Sequence, residues 1–207
     1  MKALFRCCQC GDDTSSNDNN NKGLSFSELD EKKVITTDNR SGLNVRQVFS
    51  LKQSWKGVMR DEVAFGVEMF VRLFKTSADL QNMFHAFKDI RSDDELRSND
   101  ALENHATLVM TTLDDAITHI DDYEFVKEVL YKTGGSHVKF AGFKSDNFLA
   151  IKEPFLEAVR VTLGDRYTDN MQNIYTIAIT FILQTLKDGM DEALGGSAHT
   201  SDVRSGV

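Results

Sequence analysis

Proline is nearly missing: Pro154 is the only one in 207 residues. Long helices can therefore run unbroken, and a turn-rich all-β fold is disfavoured. Cysteine is equally scarce, with Cys7, Cys8 and Cys10 all inside the first ten positions. An odd, terminal set of this kind is no disulfide framework. Long apolar runs are lacking too. The densest, residues 174–183, is interrupted by Thr176 and Thr180, well short of the roughly 20 residues that cross a bilayer. At the start, Arg6 breaks the apolar stretch at once, so the h-region of a secretory signal is missing, and a cytoplasmic protein is expected. Positive charge is also in deficit, with 24 basic against 32 acidic residues and a net charge of -8. That balance excludes nucleic acid as a partner, because no basic block is available to neutralise phosphates.

What is present suits one globular domain flanked by polar tails. The composition, 41% hydrophobic and 27% charged, is that of an ordinary soluble core. Residues 11–43 hold the tract from Asp12 to Asn21 and little apolar surface to offset the entropy of ordering. We therefore expect a disordered arm over 1–43, a folded domain over 44–190, and a second disordered tail over 191–207 beginning near Gly195-Gly196-Ser197.

Within the domain the apolar residues recur at helical spacing. Cap signals open the helices: Asn44 with Gln47, Asp100 with Glu103, Asp121 with Glu124, and Thr168 before Gln172. One helix carries Leu102, His105, Ala106, Val109, Leu113, Ala116 and Ile117 on a single stripe, so a histidine faces the core. The next places Val126, Leu130, Thr133 and His137 on one side. Two later helices carry Phe148, Ile151, Phe155 and Val159, then Ile174, Tyr175, Ala178 and Ile182. About seven helices around one core are predicted. A lone inward histidine is usually a satisfied core residue, but two on consecutive helices can approach one iron from opposite sides and fill both axial positions of a haem.

With those residues in place the chain resembles the globin family, in its neuroglobin and globin-X branch, over about residues 44–190. Gln53-Ser54-Trp55 resembles the first-helix signature, and Leu73-Phe74, Asp79-Leu80 and Met83-Phe84 resemble the run into the haem-stacking phenylalanine. Leu102-Glu103-Asn104-His105 with Val109-Met110 is similar to the distal helix, and Gly135-Ser136-His137-Val138 to the proximal one. The resemblance implies an all-α globin fold of seven to eight helices around a haem. His137 would be the proximal axial ligand and His105 the distal one, with Phe84, Val109 and Phe70 completing the cofactor-binding pocket. Three positions depart from the family pattern: Ala78 stands where a proline opens the third helix, Thr133 where leucine is common, and Leu108 where a basic residue often faces the haem propionates.

No Cys-x-x-Cys-His occurs, since Cys10 is followed by Gly11, so the cofactor would be non-covalent haem b. His137 can donate its second ring N–H to a carbonyl near Thr133. Gly134-Gly135 lowers helix propensity by about 1 kcal/mol each, which predicts a mobile helix end. The implied activity is reversible binding of dioxygen, NO, CO or nitrite for supply or sensing. The alternative is redox work, namely electron transfer, nitrite reduction, NO dioxygenation or lipid protection. Such chemistry needs a separate reductase, because this chain shows no flavin or nicotinamide module; an enzymatic role is secondary in this reading. His85, His119 and His199 receive no role. Cys7, Cys8 and Cys10 beside Lys2 and Arg6 offer S-palmitoylation sites that would hold the protein at the inner face of the plasma membrane. Ser205-Gly206-Val207 matches a PDZ-type carboxyl terminus.

Overall fold

The computed structural model describes residues 39–201, with side chains over residues 40–195. The cysteine cluster and the PDZ-type end lie outside the described residues. Eight α-helices run in order among them: α1 Val45–Val58, α2 Glu62–Thr76, α3 Ala78–Gln81, α4 Asp93–Arg97, α5 Asp100–Thr118, α6 Tyr123–Ser136, α7 Lys152–Leu163 and α8 Asp169–Ser201. The all-α expectation holds, and the helices fold around one core.

Local chemistry sets where each helix begins. Asn44 accepts from the Gln47 N–H at 3.0 Å while the Gln47 side chain returns to the Asn44 N–H, a complete capping box. Two caps lie one residue from the expected ones. Asn99, not Asp100, accepts from the Ala101 and Leu102 N–H groups, both at 3.1 Å. Asp100 thereby enters the first turn of α5, where its charge meets the positive end of the helix dipole. Asp122, not Asp121, caps α6 through the Phe125 N–H at 3.2 Å. Asp121 is engaged elsewhere, accepting from Lys52 Nζ at 2.6 Å and tying that turn to α1.

The core is continuous from α1 to α8. Trp55 is buried, with its ring edge-on to Phe65 at 6.3 Å and tilted to Phe155 at 6.2 Å, and its indole N–H donates to Asp114 at 2.8 Å. Burying so large an aromatic is favourable once that N–H is satisfied.

Ser41 and Leu43, next to the expected domain start at 44, are buried, and a 3-10 turn covers Asn39–Ser41. Helix α8 continues to Ser201. Met190 is buried on its packed face, and Ala193 lies against Gly135. The stretch holding Phe148 is not α-helical. Ser145–Ile151 winds as a 3-10 helix, and α7 starts at Lys152, which leaves Pro154 in the first turn where its missing N–H costs nothing.

α6 and α8 form the most extensive helix pair. Their axes come so close that a Cβ on Gly134 would overlap the Leu186 carbonyl group, and one on Gly189 would stand 2.5 Å from the Tyr131 Cα. Gly134 therefore serves close packing of α6 on α8, and the mobile helix end predicted from propensity is not what the contact shows. Among the described residues no helix is long and apolar enough to cross a membrane.

Candidate functional site

The helices enclose one predominantly apolar cavity of about 440 Å³, within the usual range of roughly 300–1,000 Å³ for a small-molecule site. All five sequence-predicted site residues, Phe70, Phe84, His105, Val109 and His137, line it. They come from α2, the turn after α3, α5, and the end of α6, so no single helix builds the site.

His137 is the C-cap of α6, where the chain tightens into a 3-10 turn over His137–Lys139. Its Nδ1 lies 2.8 Å from the Thr133 carbonyl oxygen. A carbonyl can only accept, so Nδ1 carries the proton and the Nε2 lone pair is left free. Phe140, Phe143 and Phe148 surround the ring with centroids at 5.6, 5.1 and 4.9 Å. Burial pushes the His137 pKa down, the hydrogen bond to Thr133 opposes this, and the nearby Lys139 charge adds to the fall.

His105 sits midway along α5, with its ring 5.0 Å from both the Phe70 and Phe84 rings. Burial, reinforced by the proximity of His137, lowers its pKa to about 4. Both imidazoles are thus held in the neutral form, the one with a lone pair for a metal.

Phe84 is placed by a device that the sequence pattern did not reveal. The buried Gln81 side chain donates to the Phe87 and Ile90 carbonyls at 3.0 and 2.7 Å, closing the turn that carries Phe84. Phe87 then stacks on Phe84 at 4.8 Å and 19°. Phe140, Phe143 and Phe148 were likewise not predicted as site residues. Phe140 and Phe143 give only aromatic density just after His137, and Phe148 was assigned to a helical stripe with Ile151 and Phe155 without a site role. His85 and His119 are exposed and absent from the cavity wall.

Two imidazoles thus stand on the walls of an apolar cavity inside an all-helical shell. The globin family model matches residues 67–186, more than half of the chain, and the protein belongs to the globin family, in its neuroglobin-like branch. The neuroglobin of Tetraodon nigroviridis is 28% identical over 148 residues, spanning 69% of this chain and 92% of the relative. That of Chaenocephalus aceratus is 29% identical over the same length and coverage. A hexacoordinated heme protein from an anhydrobiotic tardigrade, crystallised at pH 4, superimposes with a TM-score of 0.72 at 30% identity, covering 75% of this chain and 99% of that one. The cavity's size, its apolar walls and its two nitrogen donors fit the haem that membership of this family implies.

Proposed function

We propose that this globin holds haem b non-covalently with His137 as the proximal and His105 as the distal axial ligand, and that it binds dioxygen or another diatomic gas reversibly, for supply or sensing. The observation that carries this reading is the pair of neutral imidazoles sharing one apolar cavity. The hexacoordinate state of the tardigrade relative supports extending that coordination here. When bound, haem supplies an iron that accepts nitrogen ligands or a diatomic gas on its axis.

The chain's own residues do the rest. Thr133 fixes the tautomer and rotation of His137 through its carbonyl. Phe70, Phe84 and Val109 give the His105 side of the cavity an apolar lining that limits water entry. With haem bound, His105 would compete with an external gas, and the apparent affinity would scale with the fraction of molecules in which that histidine is detached.

A visible spectrum of the reduced, gas-free protein tests the assignment. It should show sharp, split bands that give way to one broad band in His105→Leu, with faster gas binding. His137→Ala should lose haem altogether. Sharp bands surviving in His105→Leu would remove His105 from the distal position.

A further inference from the structure

We infer that Lys139 holds a propionate of the haem, so that the charge partner of the cofactor comes from the turn after His137 instead of from α5. The inference rests on the haem reading above. Haem is an apolar disc with two carboxylates on one edge, and an ionised carboxylate cannot be left unpaired in an apolar interior without a large cost. That edge must therefore sit where the cavity opens to solvent.

Of the residues lining the cavity, only Leu108, Ser136, Lys139 and Phe140 are exposed, so they mark its mouth. Leu108 is 69% exposed and Phe140 52%, and neither offers a charge. The Ser136 hydroxyl donates to the Thr133 carbonyl at 2.7 Å, which commits its proton to the backbone. Thr112, just inside, donates likewise to the Leu108 carbonyl at 3.1 Å. Among the described residues, Lys139 is the only charged side chain on the cavity wall. No carboxylate among the described residues pairs with it, and its ammonium rests 5.1 Å from the Phe140 ring centroid. That placement keeps the cation at the mouth while leaving its N–H donors available to an anion.

The test measures the transfer of ferric haem from the protein to excess apomyoglobin at low ionic strength, and repeats it with haem dimethyl ester, whose carboxylates are blocked. Lys139→Ala should release haem about two- to five-fold faster than the wild type, the range of an exposed ion pair. Lys139→Arg should restore the wild-type rate, and all three proteins should release the diester alike. Equal haem release by Lys139→Ala and wild type would overturn the inference. So would an Ala-to-wild-type ratio that is the same for haem and diester, since Lys139 would then act only on the protein. A wild-type chain that takes up neither cofactor would instead overturn the haem reading itself.

Discussion

Replacing Gly189 by alanine tests the seam that holds the His137 helix in place. A Cβ at this position would lie 2.5 Å from the Tyr131 Cα, 2.8 Å from its carbonyl oxygen and 3.0 Å from its carbonyl carbon. Carbon atoms pack at about 3.5–4.0 Å, so α8 and α6 must separate by about 1 Å. All three obstacles are backbone atoms, and no rotamer change can relieve them. Overpacking of this kind costs about 1–3 kcal/mol, and an immovable backbone places the site at the upper end. Alanine returns about 1 kcal/mol of helix propensity, leaving a net loss of about 2 kcal/mol. For a domain of this size that lowers the Tm by about 4–8 °C. Urea and thermal melts of the haem-free protein by circular dichroism would measure it. Gly195→Ala in the same helix, where an added Cβ meets nothing within 4 Å, is the control and should cost no stability. A Gly189→Ala protein as stable as the wild type would refute the close crossing.

Two more predictions concern the core. Tyr175 is buried with its hydroxyl 3.0 Å from Ser54 Oγ, and burial raises its pKa from 10.0 to about 12. The fold favours the neutral phenol, so this contribution is intact below pH 10 and is lost as pH rises from about 10 towards 12. Tyr175→Phe should therefore flatten the alkaline limb of stability against pH, and an unchanged limb would show that Tyr175 does not cause it. Trp55→Phe removes the hydrogen bond to Asp114 and should lower stability by about 1.5–3 kcal/mol, read as a lower urea midpoint; an unshifted midpoint would deny that bond any net worth.

How far the sequence carries depends on whether a feature is periodic. The α5 stripe was legible because Leu102, Ala106, Leu113, Ala116 and Ile117 repeat at helical spacing and are all buried. The five cavity residues were legible through their resemblance to an ordered family pattern. The caps were placed one residue off because Asn99-Asp100 and Asp121-Asp122 each offer two competent side chains, and the choice depends on partners such as Lys52, distant in sequence. Gly134 read as looseness because its reason for being glycine lies across the helix crossing, at the Leu186 backbone. Phe140 and Phe143 fall in turns, where no repeat signals which way a side chain faces, and Phe148 lies in a 3-10 segment that the sequence pattern read as the start of an α-helix. The role inferred for Lys139 depends on which cavity residues are exposed, a property with no local signature.

The two histidines are held in unequal ways, and that difference bears on which can leave an iron. Displacing His137 breaks its hydrogen bond to the Thr133 carbonyl and disturbs three phenylalanine contacts. It also pulls on α6, whose backbone is interlocked with α8 at Gly134 and Gly189. The His105 ring makes no hydrogen bond among the described residues; its ring contacts are those to Phe70 and Phe84. Contacts of that type are worth about 0.5–1.5 kcal/mol each. They re-form at modest cost after a rotation about the side-chain bonds, whereas a backbone interlock has no such freedom. If both histidines hold a haem iron as proposed, ligand exchange would fall on the His105 side for mechanical reasons, before any preference of the metal is considered.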